Sequence, residues 1–394
     1  MPPTASLAAA TAAAETPAAL ERQVEGERSL RPVHRAVAEL RRGAAALLVV
    51  SNPRSAWLVA AAELASPATL SRLAALGAAP PVLLLAPTRA AAVLQGPAPV
   101  GAGAPAVAFR LPPGVTPALL RSLADPTAEP PQTRPEPAPL VPVEAAAASI
   151  QLAKLARLLP AVVVAPVDTG GDASGLAQRH DLLAAPAEAV LSYPDMVAAT
   201  LTRVAEASVP LEDSAATRII AFRPADGGTE HLAIVVGDPW GAATPPLVRL
   251  HSECFTGDLL GSLRCDCGPQ LRGALKRMAE EGSGVLLYLS QEGRGIGLVN
   301  KLRAYELQDR GADTHDANTR LGYGADERNF LIAAAMLREL GLGTVRILTN
   351  NPDKMAALEA CGITVAGRVA HAFPATQHNA RYLRTKAERF GHLF

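Results

Sequence analysis

Three of the four cysteines in this chain lie within one stretch of fourteen residues, CFTGDLLGSLRCDC. They are Cys254, Cys265 and Cys267. In a chain without an export signal, clustered cysteines indicate metal binding before they indicate a disulfide. Cys265 and Cys267 are too close for an easy mutual disulfide, whereas two alternating thiolates can converge on one soft ion. The stretch therefore predicts a metal site made by thiolates.

Zinc is the metal that this donor set predicts, because zinc accepts thiolates in tetrahedral geometry and has no redox chemistry. Structural zinc sites usually have four protein ligands, whereas catalytic sites have three and leave the fourth position to water. The remaining cysteine, Cys361, lies far along the chain, where a helical pattern runs into a strand pattern. We therefore expect an open, catalytic site, and His251 is the residue that would close it in a structural one.

Composition limits the classes of partner. The chain has 37 basic and 37 acidic residues, so it lacks an overall positive field that would attract nucleic acid. A polyanionic small molecule would have to be held by a local cluster of cations. No apolar run of about twenty residues is present, so we expect no membrane span. The Ala/Pro/Thr-rich start resembles a disordered tail more than an export signal. We expect a cytoplasmic protein.

The composition also changes along the chain in a way that predicts two folded domains. We expect a disordered tail at 1–30, a first domain at 31–206 and a second domain at 207–394, with the boundary near Ala207. Residues 126–142 are so rich in proline that neither a helix nor a central strand can persist there, which indicates a linker or a long loop. The expected fold class is α/β: a C-terminal mixed-sheet domain with helices around it, preceded by an α+β domain.

A glycine-rich run, QEGRGIG, follows the buried-strand pattern GVLLYLS and precedes the helical pattern LVNKLRAYELQD. A turn of this kind exposes backbone N–H groups at a helix N-terminus, which is a natural site for phosphate. Arg294 adds a planar donor for phosphate oxygens. Glu292 adds a carboxylate that can accept hydrogen bonds from N–H donors of a ligand. The helix then places Lys301, Tyr305 and Gln308 on one face.

From Val248 to Phe394 the chain resembles GTP cyclohydrolase II. The matching blocks, in order, are RLHSECFTGDLLGSLRCDCGPQL, LLYLSQEGRGIGLVNKLRAYELQD, GADERNF, LTNNPDK and YLRTKAERFGHLF. The resemblance implies GTP as the small-molecule substrate, Mg²⁺ bound with its triphosphate, one zinc ion per chain and a homodimer. With GTP as the ligand, Glu292 can accept hydrogen bonds from the N1–H and the exocyclic amine of guanine.

The same resemblance implies roles for single residues. Asp326, Arg328 and Tyr305 would be catalytic, and the family mechanism makes the arginine a nucleophile. Because a guanidinium stays protonated, we expect Arg328 to bind the α-phosphate while Asp326 acts as a base or an anchor. The run ADERNF also has the pattern of a helix N-cap with a charged first turn. The implied metal ligands are Cys254, Cys265 and Cys267, and the implied substrate-binding residues are Arg249, Leu250, His251, Ser252, Glu253, Gln270, Glu292, Gly293, Arg294, Thr314, Thr349 and Lys354.

The implied reaction is hydrolysis of GTP to 2,5-diamino-6-(5-phosphoribosylamino)pyrimidin-4-one, formate and diphosphate, the first step of riboflavin biosynthesis. Zinc would activate the water that attacks C8 of guanine. Two alternatives stay open: a divergent homologue that acts in pyrimidine catabolism, and a non-enzymatic regulator that binds zinc and a nucleotide. The complete set of matching positions favours the cyclohydrolase.

The N-terminal half faintly resembles 3,4-dihydroxy-2-butanone 4-phosphate synthase, through RRGAAALLVVS and AAELASPATLSRLAALG. That family has an acidic loop whose carboxylates bind Mg²⁺ and abstract a proton, but this chain has SNPRSAWLVAAAE there. His180 and Asp181 could be remnants of that site, although a lone His-Asp pair is more often structural. We expect a degenerate domain without catalytic activity.

Overall fold

The computed structural model describes residues 30–52, 54–99, 101, 103–131, 134–241, 243–374 and 384. Over these residues the chain forms two mixed β-sheets with helices packed against them, which confirms the α/β fold class. The predicted tail and the last matching block lie outside this range, apart from Leu30 and Arg384. None of the helices in the described part combines the length and apolar character needed to span a membrane.

The first sheet has six strands: β1 (Ala46–Val49), β2 (Ser55–Ala61), β3 (Val82–Leu85), β4 (Val107–Arg110), β5 (Ala161–Asp168) and β6 (Ala184–Pro186). Their order is β4-β3-β5-β2-β1-β6. The β1–β6 pair is parallel, and the other neighbours are antiparallel. Strand β5 reads AVVVAPVD and is almost wholly buried, because it lies between β3 and β2 with helices on both faces.

Seven helices belong to this half: α1 (30–41), α2 (Pro67–Leu76), α3 (Pro87–Leu94), α4 (Pro117–Ala124), α5 (Val143–Leu155), α6 (Ala173–Arg179) and α7 (Ala187–Ala199). Helices α1, α5 and α7 pack on one face of the sheet, and α2, α3, α4 and α6 pack on the other. Proline begins α2, α3 and α4, where a missing N–H costs nothing. The described part of the proline-rich segment 126–142 has neither a helix nor a regular strand.

The second sheet has seven strands: β7 (Thr202–Ser208), β8 (Thr217–Arg223), β9 (His231–Gly237), β10 (Leu247–Ser252), β11 (Ser283–Leu289), β12 (Thr344–Leu348) and β13 (Thr364–Val369). Their order is β13-β12-β10-β11-β9-β8-β7. The first four in this order are parallel, and the others pair antiparallel. Ala207, the expected boundary, lies inside β7, so this sheet already begins at Thr202.

The second sheet is covered by α8 (Cys267–Glu280), α11 (Leu331–Glu339) and α12 (Pro352–Ala360), while α9 (Leu298–Asp309) and α10 (Thr314–Arg320) lie towards the first sheet. Strands β10, β11 and β12 are parallel neighbours, so their carboxyl ends meet at one edge. The segments that follow these strands carry the cysteines, the glycine-rich run and the NNPDK turn. Three of the matching blocks thereby meet at this edge of the sheet.

The predicted charged first turn at Asp326–Arg328 is wrong, because α11 begins only at Leu331. The carboxylate of Asp326 accepts a hydrogen bond from the backbone N–H of Arg328 at 3.1 Å, two residues on. This local pairing forms a turn and competes with helical pairing. Asn329 then accepts the N–H of Leu331 at 2.9 Å. Arg328 therefore lies in an irregular loop.

The two halves share one hydrophobic core. Helices α9 and α10 bury one face in the cluster that fills the first sheet's α2 side. The shared positions, each at most 3% exposed, include Ile296, Leu307, Leu321 and Tyr323. The hydroxyl of Tyr323 also donates to the carbonyl of Leu158 at 2.6 Å. The other faces of α9 and α10 point towards the edge where the recognised segments meet.

Candidate active site

The three clustered cysteines come together as the spacing predicted. Cys254 follows β10, a π-helical turn at Phe255–Leu259 reverses the chain, and Cys265 and Cys267 lie at the start of α8. The Sγ atoms of Cys254 and Cys265 are 3.8 Å apart, and all three sulfurs lie within 4.8 Å of one another. Tetrahedral zinc with Zn–S bonds of about 2.3 Å separates its sulfurs by about 3.8 Å. The donor set therefore fits zinc.

Gly257 makes this convergence possible. A Cβ atom at this position would lie 2.7 Å from the Sγ of Cys265 and 2.9 Å from the Cβ of Cys267, distances that real Cβ atoms essentially never show, and 3.0 Å from the Sγ of Cys254. On the other side, the Nζ of Lys301 lies 3.1 Å from the Sγ of Cys254. Hydrogen bonds from Cys265 and Cys267, followed by the charge of Lys301, hold the pKa of Cys254 far below its ordinary value. The site thus favours a thiolate at Cys254.

His251 does not belong to the three-sulfur group. Its Nε2 lies 3.1 Å from each carboxylate oxygen of Asp258, and burial lowers the pKa of His251. The neutral ring then donates from Nε2, which leaves Nδ1 as a buried acceptor without a hydrogen-bond partner in the part of the chain described. His251 thus points at Asp258 and is not placed with the three sulfurs as a fourth ligand.

Asp258 is a site residue that the sequence reasoning missed. Besides His251, it accepts hydrogen bonds from the backbone N–H of Cys254 at 3.0 Å and from the hydroxyl of Tyr288 at 3.1 Å. It therefore fixes the backbone of the first cysteine. The sequence does show an acidic residue between the first two cysteines, but the spacing of residues does not reveal which hydrogen-bond donors would lie next to it in the fold.

Glu292 connects the glycine-rich run to the cysteine loop. Its Oε2 accepts the backbone N–H of Phe255 at 2.7 Å, and its Oε1 accepts the Nζ of Lys301 at 2.9 Å and the N–H of Gly293 at 2.7 Å. Both carboxylate oxygens, expected to recognise guanine, already accept protein donors. Lys301, which bonds both Glu292 and Cys254, was expected on this helix face but not as a site residue.

Arg249 is a buried cation aimed at the site. Its Nη1 donates to the carbonyl of Leu348 at 3.0 Å, and its Nη2 donates to the side-chain carbonyl of Gln270. The amide of Gln270 in turn donates to Asp266. Burial lowers the pKa of Arg249 to about 10, so the guanidinium stays charged at neutral pH. Its Nε is buried without a hydrogen-bond partner among the described residues.

Arg328 is held by Asp326 in a two-pronged ion pair. The Nε of Arg328 donates to Asp326 at 2.8 Å, and its Nη2 donates to the other carboxylate oxygen. Burial alone would raise the pKa of Asp326, but the hydrogen bonds and charge of Arg328 outweigh it and the pKa lies below its usual value. The guanidinium also stacks 5.1 Å from the ring centre of Phe330. Its direction is therefore fixed before any ligand binds.

Tyr305 lies beside the cysteine loop. Its hydroxyl is 3.5 Å from the Oγ1 of Thr256, and the guanidinium of Arg264 lies 4.7 Å from its ring centre. Burial raises the pKa of Tyr305, so the phenol stays protonated at neutral pH and can donate a hydrogen bond.

One cavity collects nearly all the predicted site residues. Leu250 and Asp326 are the exceptions. The side chain of Leu250 is buried in the core and only its carbonyl takes part, accepting the Nζ of Lys354 at 2.7 Å. Asp326 lies behind Arg328. The cavity is lined by five cations (Arg249, Arg294, Lys301, Arg328, Lys354), two carboxylates (Glu253, Glu292) and His251, Ser252, Gln270, Gly293, Tyr305, Thr314, Thr349 and the three cysteines. Besides Lys301, the lining residues that were not expected there are Ile296, Ala304, Gln308, Asn318, Asn350 and Asn351.

A neutral chain thus encloses a cationic cavity with a three-thiol metal site in its wall, which is the arrangement of an enzyme acting on a polyanion. The GTP cyclohydrolase II family profile matches residues 202–370. The chain is 52% identical over 372 residues to GTP cyclohydrolase-2 of Azospirillum brasilense, covering 93% of this chain and 95% of that protein. It therefore belongs to the GTP cyclohydrolase II family.

Two further comparisons are with a shorter relative and with a solved structure. GTP cyclohydrolase-2 of Pseudomonas paraeruginosa is 58% identical over 172 residues, which are 44% of this chain and 83% of that protein. The solved structure of RibBX, a two-domain 3,4-dihydroxy-2-butanone 4-phosphate synthase from A. baumannii, aligns with 86% of this chain and 99% of its own. Its sequence identity is 20% and its TM-score is 0.36.

Removal of the Asp258 carboxylate should weaken metal binding. In Asp258→Ala the N–H of Cys254 loses its acceptor, and we expect about a 10- to 100-fold lower metal affinity, as for other residues that orient metal ligands. Competition with a chromogenic chelator measures this affinity. Asp195→Ala, which removes an exposed carboxylate from α7, is the control and should match the unmodified chain. Equal affinity in both variants would contradict the role of Asp258.

Proposed function

We propose that this chain hydrolyses GTP to 2,5-diamino-6-(5-phosphoribosylamino)pyrimidin-4-one, formate and diphosphate, in riboflavin biosynthesis. One water opens the imidazole ring of guanine and a second releases C8 as formate. A third water adds to the α-phosphorus while the bond from that phosphorus to the bridging oxygen breaks and diphosphate leaves. The observation that carries the proposal is the position of the three thiols in the wall of a cavity with five cations. Ring opening and phosphate binding can therefore occur on one nucleotide.

Zinc is the metal that we propose for the three thiols, with Cys254, Cys265 and Cys267 as its ligands. The sulfur separation and the close approach of Gly257 support this choice. When bound, zinc would activate a water for attack on C8. Tyr305, protonated and beside the cysteine loop, can donate a proton or a hydrogen bond near the reacting ring. We expect Mg²⁺ to accompany the triphosphate.

The phosphates are the proposed partners of Arg294, Arg328 and Lys354. Arg328 is the best oriented of the three, because Asp326 binds the Nε and Nη2 side of its guanidinium. Its Nη1 lies 3.5 Å from the Oγ of Ser252, on the cavity side. We propose that Arg328 binds the α-phosphate during release of diphosphate and that Asp326 serves as its anchor. An ionised, paired carboxylate is a poor base, so this geometry favours the anchor over the base.

Ring chemistry and phosphate chemistry should be separable by mutation. Cys265→Ser should lose zinc and formate release while diphosphate release survives, with GMP as the product. Arg328→Ala should lose diphosphate release, because solvent cannot replace an oriented planar cation. Zinc content, formate, diphosphate and GMP are measured side by side after incubation with GTP, Mg²⁺ and Zn²⁺.

Cys361→Ser is the matched control, because Cys361 ends α12 away from the three thiols, and it should keep zinc and both activities. Full zinc in Cys265→Ser would overturn the ligand assignment. Absence of GMP in that variant would show that phosphate chemistry strictly follows ring opening. Failure of the unmodified chain to release formate, despite bound zinc and GTP, would favour a regulator.

The N-terminal half is proposed to be catalytically inactive. In the SNPRS segment, Ser51 donates from its backbone N–H and its hydroxyl to Glu144, with the hydroxyl bond at 2.7 Å. Among the described residues, the groups able to hold a metal lie in the C-terminal half, and none includes His180 or Asp181. The purified chain should therefore not convert ribulose 5-phosphate with Mg²⁺, while formate release from GTP shows that the same sample is active. Turnover of ribulose 5-phosphate would refute this proposal.

A homodimer is proposed from an apolar surface beside the site. Two adjacent elements, the loop after the π-helical turn and α9, are joined by the Arg264–Asp309 ion pair. Their exposed apolar side chains, each at least half exposed, are Leu259, Leu260, Leu263, Val299 and Leu302. A cluster of this kind marks an interaction surface. Light scattering should give about twice the chain mass of 40.7 kDa. A monomer at micromolar concentration would contradict the proposal.

A further inference from the structure

The two loops that carry the phosphate-binding arginines are both held from behind by the N-terminal half. One loop is the glycine-rich run with Arg294, and the other is the irregular loop with Arg328. Residues at the end of α5 contact both loops directly, so the first half of the chain reaches the back of the nucleotide cavity. The question is whether these contacts matter for the reaction or only for stability.

Arg157 holds both ends of the glycine-rich run. It follows α5 in a left-handed conformation, with φ of 56°, which turns its side chain towards the second half. Its Nη2 donates to the carbonyl of Ser290 at 3.1 Å, just before the run. At the other end, a Cβ on Gly297 would lie 3.1 Å from the Cβ and the Cδ of Arg157, so the arginine side chain packs tightly against this glycine, whose φ is 85°. The amide of Asn300 also donates to the carbonyl of Arg157 at 2.9 Å.

Lys154 holds the second loop through Glu327. Its Nζ lies 2.6 Å from the Oε1 of Glu327, and both side chains are less than a quarter exposed. The same Oε1 accepts the N–H of Gly324 at 2.6 Å, and the N–H of Glu327 donates to the carbonyl of Arg294 at 3.1 Å. Glu327 thus connects the two loops, and Lys154 fixes where that connection lies.

The charge of Lys154 has a further effect on Arg328. Asp326 and Glu327 are neighbouring carboxylates, yet only Asp326 binds the guanidinium while Glu327 turns towards Lys154. Without Lys154, Glu327 would be an uncompensated carboxylate one residue from Arg328. It would then compete for that guanidinium and repel the phosphates. The N-terminal lysine therefore leaves Arg328 available to the ligand.

We propose that Lys154 and Arg157 are positioning residues for nucleotide binding, so the N-terminal half forms the rear support of the active site. The proposal rests on the proposed GTP hydrolysis. The proposal applies to chains that carry an N-terminal half like this one. The P. paraeruginosa relative is matched over 172 residues that make up 83% of its length, so the remainder of that protein is too short for a half of this size. The N-terminal half, proposed above to be catalytically inactive, thereby supports the loops on which the other half binds its nucleotide.

The test compares Arg157→Ala and Lys154→Met with the unmodified chain in GTP hydrolysis. If a loop is displaced, KM for GTP should rise by about tenfold in each variant, and kcat/KM should fall by a larger factor than KM rises. A misplacement of about 1 Å is enough to lower catalytic efficiency in this way. Zinc content should not change, because neither residue contacts the thiols. Arg179→Ala, which removes an exposed ion pair with Asp172 in the same half, is the matched control and should leave KM unchanged.

Two further variants separate positioning from stability. Lys154→Arg keeps the ion pair with Glu327 and should restore most of the affinity for GTP, while Lys154→Met should not. In a Glu327→Gln background, Lys154→Met should have little additional effect on KM, because the charge it compensates is gone. Melting temperatures are recorded for every variant, and KM is measured well below the lowest of them.

Three outcomes decide the matter. Raised KM in Arg157→Ala and Lys154→Met, with rescue by Lys154→Arg, supports the proposal. Wild-type KM and kcat in both variants would overturn it, even if their melting temperatures fall, because that result shows a purely structural role. No GTP hydrolysis by the unmodified chain would overturn the proposed function first and this inference with it.

Discussion

Helix α9 packs against both halves of the chain, with one face towards each. One face, with Leu307, is buried against the first sheet, and the other presents Lys301 and Tyr305 to the thiol site. The packing of a single helix therefore couples the core of the N-terminal half to the geometry of the reaction. A close-packed core transmits displacement rather than absorbing it. Small shifts in the first sheet will reach Lys301, and through it Cys254 and Glu292.

The site itself is built mainly from backbone and charge constraints. The thiols converge because Gly257 has no side chain, and the cysteine backbone is held by Asp258. The glycine-rich run is fixed by Glu292, and Arg328 is fixed by Asp326. Each group is thus oriented by another group that does not need to touch the substrate. Such preorganisation keeps the reorganisation small at the moment of reaction.

The sequence was informative where residues of the site are close along the chain. The spacing of the cysteines and the alternation of strand, glycine run and helix predicted the metal site and the loop around Arg294. It was uninformative about long-range partners: Lys154 and Glu327 are 173 positions apart, and no local pattern connects them. The helix start at Asp326 was wrong because its carboxylate is used two residues later, by Arg328. Spacing reveals what is local, whereas pairing across the fold depends on the packing of the whole chain.

The balanced charge of the chain has a consequence for how substrate arrives. With 37 basic and 37 acidic residues, the molecule has little far field, and its five cavity cations act only within a screening length of about 8 Å at physiological salt. A triphosphate is therefore attracted by the local field of the cavity cations, at short range, and not by a net charge on the whole molecule.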